Sequence, residues 1–331
     1  CTVEGAVQAA TQDGTEILLV GDAARVKAEL ARLRAASSRI EVVHADETVE
    51  MDDSAMTPIR KKRRSSIRIC GQLVHEGRAQ AMVTAGNTGA AMAVAKMVIG
   101  TVPGVDRPAL TAVLPNGVGH TVVLDVGANV DSKPSYLLQF GIMGHLYAQE
   151  VLGISRPRVG LLSIGEEEGK GTDLTREAFR LLKATNLNFV GNVEGRDVFK
   201  GTVDVIVCDG FVGNVMLKSA ESLADLVTRM LREELLKTAW SKLGTGLVRP
   251  ALARVKQRTD YTEYGAAPLL GVNGGCFIGH GRSNAHAVHS AIRRAVEFSP
   301  ARLDVKIRNM IASLPGPALG LVAEAKGSSA G

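Results

Sequence analysis

The residues best equipped for chemistry lie in short, glycine-bounded turns. Residues 165–172 read GEEEGKGT: three carboxylates, then Lys170 between two glycines. A lysine flanked in this way has no packing task and suits a phosphate held by a point charge. The turn is not a nucleotide-binding P-loop, because Gly171 rather than serine or threonine follows Lys170. Residues 203–218, VDVIVCDGFVGNVMLK, pass from an apolar strand through Asp209-Gly210 and Gly213-Asn214 into a helical pattern. Such a bend gathers backbone N–H groups and the positive end of a helix dipole, a seat for phosphate or a developing oxyanion. Asn214 adds an amide donor there.

Four further turns offer polar groups at strand ends. In TAGNTG (84–89), Gly86 and Gly89 permit close backbone approach, while Asn87 and Thr88 present an amide and a hydroxyl; an ordinary helix cap explains the same residues. DVGANVD (125–131) holds two carboxylates that could bind a divalent cation or brace loops, and bracing is the simpler role. NVEGRD (192–197) supplies Glu194 and Arg196. In Gly279-His280-Gly281 the imidazole is a structural hydrogen-bond donor or a general base. Cys208 could be a thiol nucleophile, but a cysteine in an apolar run better fits a buried, inert thiol. No Gly-x-Gly-x-x-Gly follows a strand, and there is no Gly-x-Ser-x-Gly elbow. A dinucleotide fingerprint and a serine nucleophile are therefore not indicated.

The elements that must position these turns follow from periodicity. Strands are predicted at 16–20, 40–43, 81–84, 159–164, 188–190, 203–207 and 276–278, with 110–114 and 121–125 pairing around Asn116-Gly117. Helices are predicted at 3–12, 23–36, 135–152, 174–183, 216–236 and 283–296. Tyr136, Phe140, Met143, Tyr147 and Val151 form a stripe read as core or subunit contact, and Met216, Ala220, Leu223, Val227, Met230 and Leu231 form another helix face. Residues 240–255 mix apolar and basic residues and read as a helical excursion, suited to a dimer interface, a membrane surface or both. Residues 261–275 read as loop, and the tail 316–331 as flexible. Loops at 82–92, 124–129, 161–175 and 203–218 share one design, which predicts a cleft along the carboxyl edge of a parallel sheet. The whole chain is expected to form one α/β unit with its excursion at about 216–262. An N-terminal strand is expected ahead of the first helix.

Composition narrows the function. Of 331 residues, 45% are hydrophobic and 36 are glycine, as in a globular enzyme. Aromatics make up 4%, too few for nucleic-acid stacking platforms. The net charge of +5 suits an anionic partner. Arg60, Lys61, Lys62, Arg63 and Arg64 form either a solvated run or a docking patch. Four scattered cysteines without a C-x-x-C pair argue against a zinc site or a disulfide framework and for a reducing cytoplasm. No run of 18 apolar residues spans a membrane, and no signal peptide is visible.

Seven stretches together resemble the bacterial phosphate acyltransferases of phospholipid synthesis: LVGD (19–22), TAGNTGA (84–90), VGLLSIGEEEGKG (159–171), GNVEGRD (191–197), DGFVGNVMLK (209–218), EYGAAPLLG (263–271) and GHG (279–281). They run in family order from about residue 4 to residue 298. The resemblance implies a three-layer α/β/α sandwich with a mostly parallel sheet, related to isopropylmalate dehydrogenase and phosphotransacetylase. It implies acyl transfer from acyl-acyl carrier protein to orthophosphate, and neither metal nor nucleotide cofactor. A homodimer, peripheral membrane association and a membrane acyltransferase partner are implied too. The family opens with a strand and a Gly-Gly-Asp loop that this sequence does not contain. In such a site Lys170 binds phosphate and Asn214 donates to phosphate or oxyanion, with Gly86, Asn87, Thr88, Asp209, Glu194 and His280 lining the substrate side. An acyl-CoA:phosphate transferase of the same fold and a noncatalytic scaffold at the membrane are the alternatives.

Overall fold

The computed structural model describes residues 1–35, 38–259, 265–279, 281 and 283–315. His280, the end of the excursion at 260–262 and the tail 316–331 lie outside the described residues. The strands are β1 (Ile17–Gly21), β2 (Ile40–His44), β3 (Ala81–Thr84), β4 (Ala109–Pro115), β5 (His120–Leu124), β6 (Val159–Leu162), β7 (Phe189–Val193), β8 (Val205–Val207), β9 (Ala267–Leu270) and β10 (Gly275–Ile278). The helices are α1 (Thr2–Gln12), α2 (Ala23–Arg32), α3 (Thr57–Arg60), α4 (Ser66–His75), α5 (Thr88–Val94, continued by a π turn at Ala95–Ile99) and α6 (Pro134–Glu150). They continue as α7 (Asp173–Lys183), α8 (Asp197–Lys200), α9 (Gly210–Leu235), α10 (Ala239–Thr259), α11 (Ala285–Phe298) and α12 (Leu303–Ala312).

Strands β1 and β2 form a small parallel sheet, and the other eight form a second sheet in the order β3-β10-β9-β4-β5-β8-β6-β7. Its two ends are parallel; β9 runs antiparallel to both neighbours, and β4 antiparallel to β5. Strand alternation builds two cores, as side chains point to opposite faces in turn. Val122, Leu124, Val205 and Val207 meet α6, α7 and α12 on one face. Val123, Ile206, Met82 and Cys276 meet α4, α5 and the π turn on the other. Helix α6 is the hub of the first core: Phe140, Met143 and Tyr147 are buried, with Tyr136 and Val151 packed beside them, so the predicted stripe is core.

The helices start where side chains satisfy their free N–H groups. Asp22, Asn87, Thr172, Asp209 and Asn284 each cap the helix they precede. Helix α9 begins six residues before the predicted start at Met216, because Gly210 and Gly213 lie in its first turn rather than in a bend. Beyond the sheet, α9 and α10 pack on each other and leave Leu223, Met230, Trp240, Leu243 and Leu247 exposed. Pro250 sits inside α10 without ending it. The predicted loop at 261–275 contains β9. No helix among the described residues is long and apolar enough to cross a membrane.

Burial holds His145 and His120 below the ordinary imidazole value; for His120 the nearby Arg294 charge acts in the same direction. The Nδ1 of His145 is buried without a partner. Folding therefore favours the neutral form of both, so the stability present above the unfolded value of roughly 6.5 is lost as pH falls through it. Urea midpoints are expected to be lower at pH 5.5 than at pH 7.5, and His145→Gln is expected to flatten that difference.

Candidate functional site

The register of the large sheet decides which turns can act together. Leu124, Val207, Leu162 and Val193 end their strands side by side, so the turns after β5, β8, β6 and β7 share one edge. Lys170, Glu194, Asp209 and Asn214 all belong to that edge. Thr84 pairs with Ile278, Ile278 with Ala267, Leu270 with Ala109, and Pro115 with His120. The turn after β3, with Gly86, Asn87 and Thr88, therefore lies at the opposite edge. Of the four similar loops, three share this edge, together with the turn after β7.

The anchor of the shared edge is Asp125, wholly buried. Its Oδ1 accepts the backbone N–H of Leu110, Gly127 and Ala128, and its Oδ2 accepts the N–H and the side-chain amide of Asn129. Burial pushes its pKa up, while these donors oppose that shift by favouring the anion. Bracing, the simpler of its two sequence roles, is what this carboxylate does. Helix α9 rests directly on the braced turn. A Cβ on Gly213 would stand 1.9 Å from the Asp125 carbonyl oxygen, and one on Gly210 would stand 2.5 Å from that of Asn129. Only glycine allows that approach. Cys208 beneath it is buried, its Sγ directed at the Asp125 carbonyl oxygen at 3.4 Å, and burial drives its thiol far above the ordinary value. That thiol is not a nucleophile.

The first N–H groups of α9 are already satisfied. Asp209 accepts from Phe211 and Val212, and the Asn129 carbonyl accepts from Gly210. The helix start thus holds its own carboxylate as a cap. Asn214, one turn further on, is exposed, and its Oδ1 lies 3.5 Å from where a Gly127 Cβ would be. Gly127, at φ +137°, leaves room for that amide.

The acidic turn after β6 is sorted by ion pairs. Glu166 pairs with Arg196 at 2.9 Å, and Glu168 with Lys183 at 2.9 Å. Arg196 also holds Glu194 at 3.2 Å. Lys170 is exposed and makes no ion pair or side-chain hydrogen bond among the described residues, Glu167 included. Its backbone N–H donates to the Glu167 carbonyl at 3.0 Å, and the Asn192 side chain donates to the same oxygen at 2.8 Å. Asn192 was not singled out by motif; a polar amide inside the apolar strand FVGNV is the signal that could have found it.

At the opposite edge Asn87 is fully engaged. Its Oδ1 accepts from Ala90, and its Nδ2 faces the carbonyls of Glu50, Met51 and Asp53. Thr88 is exposed beside it, and the Gly86 N–H donates to Thr84 Oγ1 at 3.2 Å. Two of the five residues of the basic run are likewise paired, Lys62 with Asp53 and Arg64 with Asp46, while Arg60, Lys61 and Arg63 are exposed. Among the described residues no group of three or more His, Cys, Asp or Glu is placed to hold a metal ion.

A family model described as "Fatty acid synthesis protein" matches residues 1–306. The chain is 53% identical over 312 residues to a phosphate acyltransferase of Pelotomaculum thermopropionicum, covering 94% of this chain and 91% of that one. It is 51% identical over 297 residues to a phosphate acyltransferase of Aquifex aeolicus, covering 89% and 88%. Among solved structures, a phosphotransacetylase from Streptococcus pyogenes superposes with a TM-score of 0.64 at 16% identity, covering 90% of each chain. The EutD phosphotransacetylase from Staphylococcus aureus gives 0.59 at 17%, covering 90% and 91%. At these identities the structures establish a shared fold.

Proposed function

The chain belongs to the fatty acid synthesis protein family, among its phosphate acyltransferases, and from that membership we propose that it transfers a fatty acyl group from acyl-acyl carrier protein to orthophosphate. A phosphate oxygen attacks the thioester carbonyl carbon, and the carbonyl oxygen takes up negative charge. Collapse breaks the C–S bond, the thiolate leaves with the electron pair, and the proton released by phosphate passes to sulfur or solvent. The products are acyl phosphate and the free carrier thiol. No covalent acyl-enzyme is needed, because phosphate is itself the nucleophile.

Bringing an anionic nucleophile to a carbonyl that becomes an oxyanion is electrostatically costly: two unit charges 4 Å apart repel by about 4 kcal/mol at an effective dielectric constant of 20. The observation that carries the assignment is Lys170, left without an ion pair among the described residues while Glu166 and Glu168 pair with Arg196 and Lys183. It offsets that repulsion at the phosphate. Asn214 donates to the phosphate or the oxyanion, a contribution of about 3 kcal/mol in the transition state. Asp209 and Glu194 support these two, Asp209 as cap of the helix bearing Asn214 and Glu194 through Arg196. Thr88 and Gly86, at the other sheet edge, take no part in this step.

The decisive assay is acyl phosphate formation, trapped as hydroxamate, from a long-chain acyl carrier protein plus phosphate without metal or nucleotide. Turnover with acyl-CoA alone would replace the carrier-protein donor. No acyl phosphate from either donor would sink the assignment and favour the noncatalytic scaffold.

The apolar faces of α9 and α10 are assigned to a second copy of the chain and to the cytoplasmic membrane surface, where acyl phosphate passes to a membrane acyltransferase. Leu247 is 81% exposed and Trp240 83%. Leu247→Glu is expected to reduce flotation with anionic phospholipid vesicles several-fold while turnover of a soluble donor stays within about twofold. Unchanged flotation would remove α10 from membrane contact.

A further inference from the structure

We propose that Asn192 is the positioning residue for Lys170. It lies on β7 opposite Leu161 of β6, and it is 6% exposed. Its Nδ2 donates to the Glu167 carbonyl at 2.8 Å, and the backbone N–H of Lys170 donates to that same oxygen at 3.0 Å. A single acceptor is thus shared by the hydrogen bond that closes the Lys170 turn and by a side chain rooted in the sheet. The Ser163 N–H donates to the Val193 carbonyl at 2.8 Å and fixes the start of the same turn. The stem of Lys170 passes over Gly165, where a Cβ would stand 3.2 Å from its Cγ. The backbone of the lysine is therefore clamped while its ammonium remains free.

Other contacts on this turn are weaker candidates for the clamp. The pairs Glu166–Arg196 and Glu168–Lys183 join exposed side chains, and exposed ion pairs contribute little. The Asn192 bond is part-buried and comes from a side chain rooted in the sheet interior. The Oδ1 of Asn192 is also buried without a partner, as is the Ser163 hydroxyl, which lies 2.8 Å from the place of a Gly171 Cβ. Retaining a half-satisfied amide inside a strand is locally unfavourable, and such costs are characteristic of side chains that hold a functional group in place.

The inference rests on the reading of Lys170 as the phosphate-binding cation, and a double-mutant cycle separates the two. Steady-state kinetics with inorganic phosphate and the acyl donor are measured for Asn192→Ala, Lys170→Ala and the double variant. Asn192→Ala is expected to raise the phosphate KM about tenfold or more and to leave the KM for the acyl donor within about twofold. In the Lys170→Ala background it is expected to add nothing further, because its effect passes through the lysine. Asn192→Asp, which keeps the size and loses the donor, is expected to recover phosphate affinity as pH is lowered, when its protonated carboxyl again donates to Glu167. It also serves where the alanine variant does not fold. Full additivity with Lys170→Ala, or a rise in both KM values alike, overturns the positioning role. A near-normal phosphate KM for Lys170→Ala alone overturns the lysine reading itself.

Discussion

Lys170→Ala is expected to lower turnover at subsaturating phosphate by about 10²–10³-fold, equivalent to losing one preorganised charge or donor in the transition state. The same variant is expected to unfold at the wild-type midpoint, within about 0.5 kcal/mol, because an exposed side chain without partners leaves no gap behind. That combination sets Lys170 apart from its neighbours. Arg196 joins Glu166 and Glu194, so its removal disturbs the turn as well as its charge. Lys170→Arg is expected to recover only part of the lost rate, since the bulkier planar guanidinium does not reproduce a compact point charge. Phosphate saturation curves for the three forms, alongside urea unfolding, provide the check. A Lys170→Ala enzyme with near-normal phosphate dependence would remove the residue from the mechanism.

Asp125→Ala is expected to have the largest effect on stability. It withdraws the acceptor from four backbone N–H groups and from the Asn129 amide, around a carboxylate that is itself fully buried. Each buried donor left unpaired costs about 1–3 kcal/mol, and a domain is stable by only about 5–15 kcal/mol in total. The variant is expected to be largely unfolded at 37 °C by circular dichroism. Asp125→Asn is expected to be milder but still destabilising, because its NH2 group must face N–H groups on one side or the other. An alanine variant with the wild-type urea midpoint would contradict the bracing role.

Most strands and long helices could be located from periodicity, and the motifs identified the family. The edge to which each motif belongs was not legible. That depends on whether the chain reverses between β4 and β10, and the reversing strand is only APLL, four residues with a proline, inside a stretch rich in turn residues. A short apolar run carries no direction. The glycines of α9 misled for a different reason: helix propensity counts Gly210 and Gly213 as breakers, whereas contact with Asp125 and Asn129 makes them the residues that permit the helix to start there. Asn87 shows the limit of reading polar residues as ligands. Its spacing fits a helix cap and a substrate donor equally, and only the position of residues 50–53 reveals that its amide is already engaged. Lys170 differs: the flanking glycines give it no packing task, and in the structure its side chain is exposed.

The seating of α9 on the Asp125 turn has a consequence for the order of events in folding. Cys208 and Asp125 are 83 positions apart in the chain, so no local hairpin or isolated helix can create this corner. It forms when β5 meets β8, after the intervening βα segments have collapsed, and bringing such distant segments together is entropically slow. A nascent chain on the ribosome cannot seat α9 on the Asp125 turn until both β5 and β8 have emerged. In the finished molecule the amide hydrogens of Leu110, Ala128 and Asn129 are expected to exchange with solvent only when the whole domain opens, well after those of the exposed α10.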